Sequence, residues 1–126
     1  MLAACAGGGG DPEPEAAPPE ATPPPPERPL RRARCPAELG GCRSVAGRIL
    51  YVERVDPDGD GDAHFVLASR EAVTAPGISV VDVRRDLRPR PLPGPGDRLG
   101  AAGRVQVGSY GQRQIEAVAI TFARRR

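Results

Sequence analysis

Proline placement is the feature that most limits what this chain can fold into. Ten of the 16 prolines lie between Pro12 and Pro36, interleaved with glutamate and alanine, and four glycines precede them at positions 7–10. Proline lacks the backbone N–H that helices and sheets use, and such a stretch buries too little apolar surface to fold. Residues 1–34 are therefore predicted to be a disordered linker, which leaves room for one domain in the 126-residue chain.

From Ser44 onward the pattern changes to short β-rich runs separated by turn residues. The predicted strands are Ser44–Val55, His64–Leu67, Ile78–Val83, Leu99–Val107 and Gln114–Phe122. Alternation in the fourth strand places Leu99 and Val107 on one face and Arg104 on the other. Phe65 and Phe122 are predicted core residues. No stretch shows a helical period over ten residues, so the predicted class is all-β.

Several short motifs within this region have a familiar order. They are His64-Phe65-Val66-Leu67, Gly96-Asp97-Arg98-Leu99, Gly103-Arg104-Val105, Tyr110-Gly111 and Gln114-Ile115-Glu116-Ala117. This order resembles the OB-fold, a small five-stranded Greek-key barrel, of the kind related to anticodon-binding domains of tRNA synthetases. The resemblance covers residues 44–123, with 124–126 as a basic C-terminal tail. It implies a binding surface on strands two and three and the adjoining loops.

The OB-fold resemblance also carries two expectations about local structure. OB-folds often have a helix between strands three and four, whereas four prolines between Arg88 and Gly96 leave room here only for a turn around Val83–Leu87. A barrel this small needs glycines where its strands coil, and Gly47, Gly100 and Gly103 are expected to serve there.

The N-terminal string Leu2-Ala3-Ala4-Cys5 resembles the lipobox of bacterial lipoproteins, in which the cysteine is lipidated. An export signal needs basic and apolar regions before this site, so either the start codon lies upstream or the match is chance. The Gly/Pro-rich linker favours the first interpretation. It predicts lipidation of Cys5 and an extracytoplasmic domain anchored to the bacterial membrane by lipid. The alternative is a cytoplasmic protein with a free Cys5.

The two remaining cysteines, Cys35 and Cys42, bracket a short loop, residues 35–43, that contains Gly40 and Gly41. A disulfide between them would brace the start of a small exported domain. Zinc binding is a poor alternative because there is no second cysteine pair, and His64 is the only histidine. The spacing is not that of a Cys-x-x-Cys redox motif.

The charge is unevenly distributed along the chain. Residues 1–27 carry five acids and no base, whereas residues 28–126 carry 18 bases, all arginine, and 11 acids. This charge suits a polyanion or an anionic lipid surface, but an ordinary soluble surface of mixed charge is the commoner explanation. The expected ligand is an unknown protein, glycan or polyanion. The chain is expected to be a monomer. The candidate ligand-binding residues are Arg84, Arg85, Arg88, Arg90, Tyr110 and Arg113.

Single-stranded nucleic acid is the alternative ligand, for a cytoplasmic protein. Base stacking needs several exposed aromatic residues, and this chain has two tyrosines, two phenylalanines and no tryptophan. The predicted function is accordingly a binding or interaction module of an exported lipoprotein.

The sequence also contains an acidic turn and lacks catalytic motifs. Asp56, Asp58, Asp60 and Asp62 alternate as in the first half of a calcium loop, but position twelve is Leu67 instead of glutamate. An ordinary solvated turn is favoured over a weak calcium site, and no other cofactor is expected. No nucleophile motif, phosphate-binding loop or paired histidine motif is present, so an enzyme is not expected.

Overall fold

Five strands form a closed barrel in the order β1-β2-β3-β5-β4, with β1 pairing on its other side with β4. In the computed structural model, residues 29–53 and 61–125 are described, together with the isolated residues 10, 19 and 23. The strands are β1 (Cys42–Glu53), β2 (Ala63–Ser69), β3 (Ile78–Val83), β4 (Arg98–Val107) and β5 (Arg113–Ala123). A single 3₁₀ turn, Arg85–Leu87, follows β3.

Strand pairing agrees with the resemblance seen in the sequence. Every pair is antiparallel except β3 with β5, which run parallel through Val81↔Ile115 and Asp82↔Glu116. This is the strand order of an OB-like barrel. The all-β prediction is confirmed, and the expected turn after Val83 is the 3₁₀ turn at Arg85–Leu87. The first strand starts two residues earlier than predicted, at Cys42, and its predicted end at Val55 lies outside the described residues.

The core lies inside the barrel and is built by strand alternation. In β2, Phe65 and Leu67 point inward and are fully buried, whereas the alternate residues His64 and Val66 point outward. The other large aliphatic residues that are fully buried are Val45, Ile49, Val81, Val83, Leu99 and Ile115. The prediction that Phe65 belongs to the core is confirmed.

Phe122, predicted to be a core residue, and Val107, predicted to share a strand face with Leu99, both lie on the surface of the barrel. Phe122 is 43% exposed and Val107 is 73% exposed. Val107 is the last residue of β4. At this point the β4–β5 hairpin extends beyond Cys42, the first residue of β1, which pairs with Arg104. Phe122 lies near the other end of β5, and the Arg124 guanidinium is 5.2 Å from the centre of its ring. Strand alternation predicts which side chains are buried only where a strand has a neighbouring strand along both of its edges.

Two glycines allow neighbouring backbones to approach closely, as expected from the sequence. A Cβ atom at Gly47 would collide with the carbonyl oxygen of Ala68, and one at Gly103 with that of Glu116. Gly103 also lies where the β4–β5 register shifts. Gly100 has a different role, because a Cβ atom there would contact Thr121 and the segment that precedes the barrel.

That segment, residues 29–35, is named here the N-terminal arm. It lies along β4, with the Arg31 carbonyl near Gly100, and it ends at Cys35. The Ser44 hydroxyl donates a hydrogen bond of 2.7 Å to the Ala33 carbonyl. The predicted disulfide between Cys35 and Cys42 is present and bonds the arm to the first residue of β1. The arm is therefore part of the folded domain.

Removal of the disulfide tests how far it supports the barrel. The double variant C35A/C42A, made in a Cys5→Ser background, should lose about 2–3 kcal/mol of unfolding free energy, because the closed loop restricts the unfolded chain. Urea denaturation followed by circular dichroism measures this loss. A reductant should lower the stability of the parent to that of the variant and leave the variant unchanged. Equal urea midpoints for the two oxidised proteins would contradict the prediction.

Candidate functional site

The connection from β3 to β4, residues 84–97, places four arginines on one end of the barrel. Its apolar residues anchor it, since Leu87 and Leu92 pack against the core cluster and Pro93 is fully buried. Between these anchors the chain turns its charged side chains outward. Arg84, Arg85 and Arg90 are exposed, and Arg88 is half-buried. The proline-rich composition keeps the connection extended, so buried and exposed positions alternate over a short length.

These arginines line two adjoining depressions that share Arg85, Arg88 and Arg90. The first, of about 400 Å³, has a floor formed by Pro89, Pro91 and Leu92. The second, of about 550 Å³, adds Arg84 to the shared arginines and has three carboxylates in its lining, from Asp62, Asp86 and Glu116. The first depression thus combines guanidinium groups with an apolar floor, and the second mixes both signs of charge.

The four arginines differ in how they are held. An Arg88 Nη atom donates a 2.8 Å hydrogen bond to the Gly61 carbonyl, and Arg84 Nε lies 3.6 Å from a carboxylate oxygen of Asp86. The Arg85 guanidinium packs over Gly61, whose φ of +78° and close contact both favour glycine. Within the described part of the chain, no ion pair or side-chain hydrogen bond engages Arg85 or Arg90. As far as the described residues are concerned, these two guanidinium groups have donors left for a bound anion.

Tyr110 and Arg113 lie at the opposite end of the barrel from these arginines. The register Val81↔Ile115 puts Arg84 three residues beyond that pair and Arg113 two residues before it. At about 3.3 Å per residue, they are roughly 16 Å apart along the strands. Tyr110, in the β4–β5 hairpin, is 79% exposed. The structure thus brings Arg84, Arg85, Arg88 and Arg90 together and does not join Tyr110 and Arg113 to them.

His64 belongs to a cross-strand row that the sequence did not suggest. The ladder pairs it with Glu53 of β1 and Asp82 of β3, and Asp82 pairs with Glu116 of β5. The Nδ1 atom lies 3.9 Å from Glu53, and Nε2 lies 3.6 Å from Asp82. Because the two carboxylates approach opposite nitrogens of the ring, they do not converge with His64 on one point. The row is an outward-facing charge cluster formed by register alone.

The predicted calcium ligands lie largely outside the described residues. Asp56, Asp58 and Asp60 lie outside the described residues. Asp62 is described, and it lines the second depression. In residues 29–53 and 61–125, no three His, Cys, Asp or Glu side chains form a group suited to a metal ion. The described residues also include no helix long and apolar enough to cross a membrane.

A second feature missed from the sequence is a buried polar network near the end of β2. The Ser79 hydroxyl donates to Ser69 at 2.9 Å, and Ser69 donates to the Glu71 carboxylate at 2.7 Å. Arg32 of the N-terminal arm forms an ion pair with the same carboxylate and also donates to the Ser44 carbonyl. The Ser79 hydroxyl also accepts from the Val73 amide. This network joins the arm to the β2–β3 connection.

The network changes the acid–base behaviour of Glu71. Burial raises the pKa of this carboxyl group, but hydrogen bonds from Arg32 and Ser69 outweigh that effect and hold the pKa below its ordinary value. A depressed carboxyl pKa stabilises the fold above the ordinary carboxyl pKa, and that contribution is lost as the pH falls through the lower, folded-state pKa.

No protein-family model matches this sequence, and no curated protein is significantly similar to it.

Acid titration of a Glu71 variant tests the network. Glu71→Gln should lower the stability at pH 7 by about 0.5–1 kcal/mol, since Arg32 is more than half exposed. The parent should begin to lose this advantage as the pH falls below about 4.5, where the carboxyl group of the unfolded chain becomes protonated, and should lose it completely below the lower pKa of the folded state. Thermal melts between pH 7 and pH 2.5 give the comparison, with Glu38→Gln at an exposed position as control. A constant difference between parent and Glu71→Gln across this range would disprove the coupling.

Proposed function

We propose that this chain is a non-enzymatic binding module of an exported bacterial lipoprotein, and that its binding site is the pair of depressions around Arg85, Arg88 and Arg90. The single observation that carries the proposal is the placement of Arg85 and Arg90 beside an apolar floor, without protein partners in the described residues. Guanidinium groups suit phosphate, sulfate and carboxylate ligands, because they offer paired donors in a fixed plane.

Three features support the proposed location, namely a lipobox-like string, a Gly/Pro-rich stretch after it and a disulfide. The lipobox-like string ending at Cys5 is followed by a Gly/Pro-rich stretch suited to a tether. The folded domain contains the Cys35–Cys42 disulfide, a bond typical of oxidising compartments outside the cytoplasm. A lipid anchor would attach the domain to the membrane without a transmembrane segment.

The alternative is a cytoplasmic barrel of the anticodon-binding type that binds single-stranded nucleic acid. Two exposed tyrosines favour it, since Tyr51 is 57% exposed and Tyr110 is 79% exposed. Stacking of bases on such rings is a common way for OB-folds to bind single strands. Against this alternative, Tyr110 lies at the opposite barrel end from the arginine depressions, and the disulfide suits an oxidising compartment.

Binding can be tested with soluble anions. In ¹H–¹⁵N NMR titrations, inorganic phosphate and a sulfated oligosaccharide should shift the amide signals of residues 84–92 most strongly. The double variant R85Q/R90Q should weaken binding about fivefold or more, since the two lost charge-assisted hydrogen bonds together contribute about 1 kcal/mol or more at an exposed site. R34Q/R43Q, which removes two exposed arginines elsewhere, is the matched control. Shifts spread evenly over the surface would reject a built anion site.

The same titration with a thymidine oligonucleotide separates the two candidate functions. Tight binding with a steep dependence on salt, abolished by Y110A or R113Q, would favour the nucleic-acid alternative over the proposed one.

Mass spectrometry tests the proposed location. With the upstream reading frame included in a bacterial host, Cys5 should carry a diacylglycerol group, and the protein should fractionate with membranes. Cys5→Ala should lack the adduct and leave the membrane fraction. An unmodified Cys5 in the cytosolic fraction would overturn the lipoprotein proposal without affecting the anion-binding one.

A further inference from the structure

The two ends of the barrel are chemically different surfaces, and strand direction defines them. The strands β1, β3 and β5 finish at the same end where β2 and β4 begin, and this end carries residues 84–97 and Arg124–Arg125. It is named here the arginine end. The other end carries Cys42, the β2–β3 connection and the β4–β5 hairpin, and it is named the hairpin end.

The course of the N-terminal arm shows from which end the linker leaves. The Arg31 carbonyl lies beside Gly100, near the start of β4, whereas Cys35 is bonded to Cys42, which pairs with Arg104 farther along β4. The arm therefore runs in the same direction as β4, from the arginine end toward the hairpin end. Its first residue, Pro29, lies on the arginine-end side, so the segment before it joins the domain there.

Contacts along the arm keep this direction fixed. The disulfide holds one end of the arm, the Ser44–Ala33 hydrogen bond holds its middle, and Arg32 bonds to Ser44 and Glu71. Ala33 is 5% exposed, which shows that the arm is packed against the barrel. A tether attached to Pro29 would consequently enter the domain on the side of the arginine end, which leaves that end free to reach the membrane.

The first depression at this end suits the headgroup of an anionic phospholipid. Such a headgroup presents a phosphate above an apolar glycerol and acyl region. Arg85, Arg88 and Arg90 offer guanidinium groups, and Pro89, Pro91 and Leu92 offer the apolar floor. Among the described residues, the lining of this depression contains no carboxylate, unlike that of the neighbouring one. Exposed arginines occur at both ends of the barrel, so net charge does not distinguish the two ends. The arginine end differs because it has the depression and because the linker joins the domain there.

We infer that the arginine end docks on the anionic phospholipid surface of the membrane that holds the tether, with phosphate headgroups bound by Arg85, Arg88 and Arg90. This inference rests on the proposed lipid anchor and deepens the proposed anion site by naming its occupant. Docking leaves the hairpin end, with exposed Val107 and Tyr110, directed away from the membrane.

Vesicle sedimentation with the full-length, unlipidated Cys5→Ser protein tests the docking. Binding to phosphatidylcholine vesicles containing phosphatidylglycerol should exceed binding to pure phosphatidylcholine by about tenfold or more and should weaken as salt is added. The triple variant R84Q/R85Q/R90Q, which keeps the structural Arg88, should lose about tenfold or more of this affinity. The variant R34Q/R43Q/R70Q removes the same charge from exposed positions toward the hairpin end and should lose less than about threefold. Circular dichroism melts verify that both variants are folded.

Three outcomes would overturn the inference. Equal losses in the two triple variants would show attraction to net charge alone, and equal binding to both vesicle types would show no preference for anionic lipid. Retained binding of inorganic phosphate at residues 84–92 without vesicle binding would assign the depression to a soluble ligand. That last result leaves the proposed anion site standing, whereas loss of both kinds of binding rejects it as well.

Discussion

Pairing of β1 with two neighbours is the constraint on which the rest of the structure depends. This 12-residue strand bonds to β4 through its first half and to β2 through its second half. To do so it must coil, and Gly47, which belongs to both ladders, lets the Ala68 carbonyl approach where a side chain would collide. The β3–β5 seam has only two paired positions. Closure of the barrel therefore depends on β1.

The same strand order produces the candidate site. Because β5 lies between β3 and β4, the connection from β3 to β4 must pass over the end of β5. Leu87 and Leu92 fasten this crossing to the core, and Arg124 and Arg125 of the chain end bond to Pro91 and Asp97 within it. Between Leu87 and Leu92 this crossing leaves Arg90 exposed and Arg88 half-buried. The arginines on it are displayed as a consequence of topology.

Features that depend on neighbouring residues in the sequence could be predicted, whereas features that depend on contacts between distant residues could not. Local signals, such as the β-rich run around Phe65 and the prolines after Arg88, predicted the strands, the missing helix and the disulfide. Exposure of Val107 and Phe122 could not be predicted, since it depends on where neighbouring strands end. The His64 row and the Arg32–Glu71 pair join residues 11 to 39 positions apart, which only the register brings together. For the same reason, the sequence grouped Tyr110 with arginines from the opposite end of the barrel.

The disulfide contributes more than stability, because its position determines the course of the N-terminal arm along the barrel. A loop of eight residues restricts the unfolded chain by an amount equivalent to about 2–3 kcal/mol, whichever direction the arm takes. Bonding Cys35 to the first residue of β1 also forces the preceding arm back along β4, and Glu71 fixes it again through Arg32. An arm fastened at Cys35 and at Arg32 has a fixed course along β4, so the chain before it joins the barrel on the side that carries the arginines.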